Sequence, residues 1–415
     1  MKIIRIIARL NVGGPAIHVV LATHELKRRG NDCVLVVGPV PETEGSMEYY
    51  AAEWGVPFIR VPQLVRPLSP WKDLVALWKI YRILRREKPG VVHTHTAKAG
   101  TVGRTAAVLA GVPVIVHTFH GNIFDAYFSP AKTRLFLFIE RFLARFTDRI
   151  IAVSKSQRDE LIDKYKIAPP EKFQIVRLGI DLGAFRAGKA GKARTAHADG
   201  DRPLVIGWVG RFVEVKDPLF FVDAAHALKS RGARAKFVMV GDGPLRSEVE
   251  TRIAEHDLQG DFTLTGWQRD MSSVYAGIDL MTLTSHNEGT PVAMIESMAS
   301  GLPFVALNVG GMPDLMAGAA QEGEGFDVFE NGIMVYPRDV STLSSAVNLL
   351  LQDASLRARM GQAGKEFALG RFSKERLVDD LETLYQKLVH PESLPEPTVS
   401  CHHPPAQGSP LRHNR

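Results

Sequence analysis

A chain of 415 residues is too long for one ordinary hydrophobic core, and at roughly 100–200 residues per domain it divides into two or three. With 45% apolar and 23% charged residues it is of soluble globular composition, and two cysteines give no disulfide framework, so a reducing, cytoplasmic setting is expected. The net charge of +6 is too small to call for a nucleic-acid partner, and no apolar run approaches the ~18 residues of a membrane span.

The opening segment MKIIRIIARLNVGG is interrupted by Arg5 and Arg9 and reads as a first strand, Ile3 to Ala8, rather than as a signal peptide. Short β-branched runs then alternate with helical patterns. A helix from about Pro15 precedes a strand at Cys33 to Val37, a helix near 46–54 and a strand at Pro57 to Val61. Helices near 71–87, 98–110 and 131–146 are interleaved with strands at Val91 to His93, Val114 to His117 and Ile150 to Val153. Residues 186–203 hold Ala, Gly and charge without apolar periodicity, and are predicted to link a domain at 1–185 to a second at 204–372. There, strands at Leu204 to Val209, Lys236 to Val240, Phe262 to Leu264, Ile278 to Leu283 and Phe304 to Leu307 alternate with helices near 217–231, 244–257 and around Glu296. Residues 373–390 form a last helix with Leu377, Leu381, Leu384 and Leu388 at helical spacing, and 391–415, rich in Pro, His and Ser, are expected to be disordered. The fold class is therefore α/β, with two doubly wound Rossmann-like domains facing across a cleft and ligands held beyond the carboxyl ends of their strands.

Chemistry concentrates in TSHNEGTPVAMIESMASG, residues 284–301. It reads as strand, loop and helix, with Thr290 as N-cap candidate, Pro291 at the first helical position and Gly301 as the stop. The helix N-terminus is a seat for phosphate, and Gly289 allows close backbone approach. Glu288 on the loop and Glu296 in an otherwise small, apolar helix are placed to grip hydroxyl groups on either side of a diphosphate, which describes a nucleotide sugar. The plain alternative is a solvated loop charge and an exposed helix residue. In GWVGRFVEVKD, residues 207–217, Gly210, Arg211 and Lys216 occupy a loop after a strand, where fixed cations can stabilise a departing phosphate; a surface turn is the alternative.

Other signals are weaker. Gly13 and Gly14 make a turn after the first strand, without the G-x-G-x-x-G of a dinucleotide site. HTFHG, residues 117–121, ends a strand, where a histidine is more often structural; His120, just before Gly121, rather than His117 is the candidate to face the cleft. His93 and His95 share a strand face, but no third ligand stands at suitable spacing, so no metal is expected. No strand ends in the D-x-D of a metal-dependent diphosphate site.

Glu288 and Glu296 at E-x7-E spacing, with Gly210, Arg211 and Lys216 in a G-R-x(4)-K-[GD] pattern, resemble the retaining GT-B glycosyltransferases of family four over residues 1–390. HTHTAKAG, residues 93–100, resembles family members that build surface polysaccharides, whereas GGMPDL, residues 310–315, carries Asp314 where glutamate is usual. The resemblance implies Glu296 on the donor ribose and Glu288 on sugar hydroxyls, beside Gly289, Thr290, Pro291 and Val292. It implies Arg211 and Lys216 on the diphosphate, His120 on the transferred sugar, Gly13 and Gly14 near the phosphates, and Gly243, Leu245 and Trp267 around the nucleotide. Lys98 is expected near a phosphate, and the last helix against the N-terminal domain.

The implied activity is metal-independent, retaining transfer from a nucleotide-diphosphate sugar, UDP ahead of GDP, to a hydroxyl acceptor without a cofactor. A nucleotide-sugar 2-epimerase and a non-catalytic nucleotide-sugar binder are the rivals. Residues 71–88 and 130–149 are basic and amphipathic, either as surface helices or as contacts with anionic membrane. The second reading makes the acceptor a lipid-linked saccharide.

Overall fold

The computed structural model describes residues 1–41, 45–65, 67–121, 130–186 and 202–390. Most of the expected 186–203 linker and all of the 391–415 tail therefore lie outside the described residues. Seven parallel strands form the first sheet: β1 (Lys2–Ile7), β2 (Asp32–Val37), β3 (Phe58–Arg60), β4 (Val91–His95), β5 (Val114–Phe119), β6 (Arg149–Ala152) and β7 (Phe173–Ile175). Their order is β3-β2-β1-β4-β5-β6-β7, so the winding direction reverses between β1 and β4. Helices cover both faces, which is why these strands read as continuous apolar runs: Ile3, Ile4, Ile6, Val36, Val91, Val92 and Val116 are fully buried.

The second sheet contains β8 (Leu204–Val209), β9 (Ala235–Val240), β10 (Phe262–Leu264), β11 (Leu280–Leu283), β12 (Phe304–Leu307), β13 (Gln321–Glu322), β14 (Phe326–Val328) and β15 (Gly332–Val335). The order is β10-β9-β8-β11-β12-β15-β14-β13, parallel except for the antiparallel β13–β14 and β14–β15 pairs at one edge. Its winding reverses between β8 and β11. In doubly wound sheets such switch points hold the ligand.

Three features differ from the sequence reading. β11 begins at Leu280 rather than Ile278, because Ile278 turns inward to pack against Gly207. The β13–β15 edge was not anticipated; its short, partly polar strands carry little periodicity. The domains also exchange chain. Leu178, Ile180 and Leu182 pack with Met281, Met298 and Phe372 in the second domain's core, so the first domain ends before 185. In return, the helix Lys374–Val389 buries Leu377, Val378, Leu381, Leu384 and Tyr385 against Ile3, Ala22, Leu26 and Val116 of the first. Arg29 fastens it through Asp379 (2.6 Å) and Glu382 (2.9 Å).

The helices Ala97–Ala110 and Pro130–Ala144 are joined by a buried ion pair, Arg104 to Glu140 at 2.5 Å. Taking away one partner strands a buried charge, so Glu140→Ala is expected to destabilise the protein by ~3–5 kcal/mol in urea unfolding. A loss below ~1 kcal/mol would mean that water reaches the guanidinium.

Candidate active site

The loops leaving β8 and β11 are laced together at the second switch point. Thr284 Oγ1 accepts from Trp208 Nε1 (2.9 Å) and turns its own proton toward the carbonyls of Asp217 (2.8 Å) and Lys216 (3.1 Å). His286 N donates to Val215 O at 2.8 Å, and Arg338 clamps Thr284 O (2.8 Å) and the Asp217 carboxylate. This lacing brings Lys216 Nζ to 2.5 Å from Glu288 Oε1, which also accepts from Ser285 Oγ at 2.6 Å. Arg211 lies on the same β8 loop, half-buried and with no side-chain partner among the described residues, so its fork of donors is free for an anion.

The helix following Glu288 spans Val292–Ala299, one residue later than the sequence suggests. Its N-cap is Pro291, and Thr290, expected to cap it, instead leaves its buried Oγ1 unbonded. Pro291 cannot donate, so the amide N–H groups of the first turn remain the positive end of this helix. Glu296 receives the Tyr275 hydroxyl at 3.0 Å. Burial raises its carboxyl to about 7, against the opposing pull of that hydrogen bond.

Glycines let three backbones meet here. A side chain on Gly289 would lie 2.6 Å from His120 O and 3.1 Å from Gly121 Cα, and one on Gly14 would lie 2.9 Å from Val292 Cγ2. One on Gly310, whose φ is +51°, or on Gly311 would strike the Glu288 or Gly289 carbonyl. The Asp314 carboxylate accepts from Ser156 N at 2.9 Å, a further bond between the domains. His120 and the Gly13–Gly14 turn of the first domain thus abut the loop that carries Glu288.

On the first-domain side, His120 Nε2 lies 2.9 Å from His95 Nδ1, and Arg5 Nη2 lies 3.1 Å from His95 Nε2. His18 packs edge-on to His120 with ring centroids 5.0 Å apart. Burial first, then neighbouring positive charge, holds His18 and His95 well below the ordinary histidine range and His120 at about 3. The sequence reading weighs His93 with His95 and finds no third histidine for them; the fold instead gathers His95 with His18 and His120, whose ring nitrogens lie within 4.8 Å of one another. Sequence could not show this, because His18 comes from the helix Gly14–Arg28 and the others from the ends of β4 and β5.

The remaining candidates are placed by their packing and hydrogen bonds. His93 is buried between Tyr385 (2.6 Å) and Thr118 (2.7 Å), and His117 bonds Thr94 (2.8 Å) while packing on Gly100. Lys98, expected near a phosphate, is paired with Asp73 at 2.5 Å. Gly210 N bonds Val240 O, and Gly243 rests on the Phe212 backbone. Leu245 is partly buried against the second domain's core, and its N–H donates to Phe212 O at 3.0 Å. Trp267 is 46% exposed, its Nε1 beside Gly45 of the first domain at the rim.

Two doubly wound sheets meeting switch point to switch point, with a lysine–glutamate pair opposite a histidine, define a GT-B glycosyltransferase. Residues 12–184 match the profile described as Glycosyltransferase Family 4, and residues 191–367 match Glycosyl transferases group 1. A UDP-Gal:alpha-D-GlcNAc-diphosphoundecaprenol alpha-1,3-galactosyltransferase of Escherichia coli is 30% identical over 334 residues, 79% of this chain and 83% of that protein. CapM of Staphylococcus aureus, a capsular polysaccharide biosynthesis glycosyltransferase, is 25% identical over 77% of this chain and 82% of its own. Among solved structures, Anabaena HepE in complex with UDP and glucose superposes with a TM-score of 0.75 at 20% identity, covering 92% of this chain and 99% of that one. The chain belongs to the family four, group 1 glycosyltransferases, and is a glycosyltransferase.

Proposed function

We propose that this enzyme transfers a sugar, with retention of anomeric configuration, from a UDP-sugar to a hydroxyl of a lipid-linked saccharide at an anionic membrane surface. The reading rests on the 2.5 Å Lys216–Glu288 pair standing at one switch point while His120 stands at the other. The galactosyltransferase relative, named for UDP-Gal and a diphosphoundecaprenol-linked sugar, supports the choice of substrates, and the UDP and glucose bound to HepE support the donor.

In this reading Lys216 and Arg211 meet the diphosphate, Glu288 and His120 meet sugar hydroxyls, and Glu296 meets the ribose. Lys216 and Ser285 both bond Glu288 Oε1, which draws off its charge and suits it to accepting from sugar hydroxyls rather than to attacking the anomeric carbon. Retention then follows from a front-face displacement: the bond from the anomeric carbon to the β-phosphate oxygen breaks, the acceptor oxygen bonds on the same face, and the acceptor proton passes to the departing phosphate. The cations take up the charge that grows on that phosphate, so neither a metal nor a cofactor is required. The test is incubation of the enzyme with a panel of UDP-sugars, with and without lipid-linked saccharides, and assignment of the product linkage by NMR. A new α-linkage that appears only with acceptor supports the reading. Epimerisation of donor alone, or an inverted linkage, overturns it.

The membrane contact is proposed from two stripes. On the helix Pro70–Glu87, Ala76, Ile80 and Leu84 face the core, while Trp71 (74% exposed), Leu74 and Trp78 face outward near Lys72, Arg82, Arg85 and Arg86. On the helix Pro130–Ala144 and its C-terminal extension, Leu135, Phe138 (67% exposed), Phe142 and Phe146 form a second outward stripe, and Arg145 and Lys166 line a groove beside it. Among the described residues no helix is long and apolar enough to cross a membrane. Trp71→Ala/Trp78→Ala/Phe138→Ala is therefore expected to weaken co-sedimentation with phosphatidylglycerol vesicles by at least tenfold, since each buried aromatic contributes ~1.5–3 kcal/mol. Equal binding by wild type and triple variant would remove the membrane from the proposal.

A further inference from the structure

The first-domain half of the site holds a fixed cation that the proposed reaction does not use. Arg5 on β1 is fully buried, and apart from the bond to His95 its Nε and Nη1 have no partner among the described residues. A guanidinium only donates, so His95 Nε2 must present its lone pair to Arg5. A neutral imidazole then carries its proton on Nδ1, the atom 2.9 Å from His120 Nε2. That in turn makes His120 Nε2 an acceptor. The remaining nitrogen, His120 Nδ1, has no partner among the described residues.

We propose that Arg5 and His95 are positioning residues that lock His120 as the neutral tautomer with its proton on Nδ1, so that it offers a hydrogen-bond donor to the bound sugar. The proposal rests on the reading of His120 as a sugar-contacting residue. The chain runs in one direction because its first member has no acceptor atom: Arg5 to His95, His95 to His120, His120 to the ligand. A donor suits a sugar hydroxyl or ring oxygen, and a neutral one leaves the nearby diphosphate to Lys216 and Arg211.

The groups around His120 all favour neutrality. His95 faces it from β4, His18 from the helix Gly14–Arg28, and Arg5 acts through His95 from β1. From the second domain the facing group is the Gly289 backbone, on the loop that also carries the Lys216–Glu288 pair. Burial is the main cause for both His120 and His18, and for His18 the neighbouring His120 and Arg5 add to it.

The same bonds argue against a metal ion among His18, His95 and His120. Ligation by His95 Nδ1 would need the lone pair there and move the proton to Nε2. Two N–H groups would then confront each other at the 3.1 Å contact with Arg5, and a second cation would sit beside a buried guanidinium that has no carboxylate partner among the described residues.

The experiment is long-range 1H–15N correlation on 15N-histidine-labelled full-length protein, with His120 assigned through His120→Gln, in parallel with transfer kinetics from pH 5 to 8. Wild type is expected to show the His120 proton on Nδ1. Arg5→Met is expected to give a mixture of tautomers, a fall in kcat of about tenfold or more, and a new loss of activity on the acid side as His120 regains basicity. Arg5→Lys, which keeps a donor, is expected to restore the Nδ1 proton. If Arg5→Met does not fold, His95→Phe, which keeps a ring but removes both nitrogens, serves for the same readout. A wild-type proton on Nε2, an unchanged tautomer in Arg5→Met or His95→Phe, or specific shifts of His18, His95 and His120 with one equivalent of Zn2+ would each overturn the proposal. A correct tautomer together with full activity in His120→Gln would instead overturn the reading of His120 as a sugar contact.

Discussion

Lys216→Ala is expected to lower kcat by a hundredfold or more while the KM for the UDP-sugar changes by less than tenfold. The charge that Lys216 meets in the proposed reaction is partial in the bound donor and grows as the β-phosphate leaves, so its loss falls on the transition state more than on binding. Removing one donor aimed at developing charge costs other enzymes 10²–10³ in rate. Here the change has a second consequence. The Glu288 carboxylate is 8% exposed and is held by Lys216 at 2.5 Å and by Ser285 at 2.6 Å. With the ammonium gone, that carboxylate keeps only a neutral partner, and in the proposed reading its charge stands beside the sugar on the same diphosphate. The double variant Lys216→Ala/Glu288→Gln should therefore be less impaired than the product of the two single losses, since the second change removes the repulsion that the first exposes. Steady-state kinetics on the four proteins decide this. A loss in Lys216→Ala below about fivefold, or strict multiplication in the cycle, would mean that Lys216 only staples two loops together.

What the sequence revealed of this site, and what it hid, follows from the range of the interactions. Gly210, Arg211, Lys216, Glu288 and Glu296 each sit in a local pattern of strand, loop and helix, so their placement beyond β8 and β11 could be read from a dozen residues at a time. The alternation of strands and helices pointed to parallel sheets, while the strand order that puts these two loops side by side comes from the structure. Thr290 failed because the reading weighed a side-chain cap, whereas Pro291 with its extended backbone starts the helix without one. The Lys98 ion pair was not legible because its partner, Asp73, lies 25 residues away on a separate helix.

Arg5 and His18 were invisible for a related reason. In sequence Arg5 is only an interruption in an apolar strand, and His18 only one position in an apolar helix. Their meaning comes from a third and a fourth element, β4 and β5, which carry His95 and His120 to them. The domain boundary shifted likewise, because Leu178, Ile180 and Leu182 look the same in sequence whichever core they join. No local pattern distinguishes a residue that packs on its own domain from one that crosses to the other.

Glu296 gives the second large effect, in its dependence on pH. Its carboxyl titrates at about 7 in the folded protein against an ordinary 4.5, with burial as the main cause. Between these values the folded state holds a proton that the unfolded chain has released, so stability falls as pH rises from about 4.5 to about 7 and is level above. The full penalty above pH 7 is ~3 kcal/mol. Glu296→Gln keeps the shape and removes the charge. In urea unfolding without nucleotide, the variant is expected to exceed wild type by up to ~3 kcal/mol at pH 8, and the difference should fade toward pH 5.

Binding should run the other way. Ribose hydroxyls donate to an ionised carboxylate, so below pH 7 the affinity of wild type for uridine, which brings no phosphate to titrate, is expected to fall by up to about tenfold per pH unit, while that of Glu296→Gln stays flat and weak. The carboxylate that lowers the stability of the empty enzyme is thus the one that its ligand would satisfy, a local cost accepted for function. A stability difference independent of pH would show that Glu296 is already ionised in the free protein. A flat wild-type affinity between pH 5 and 8 would show that it does not hold the ribose.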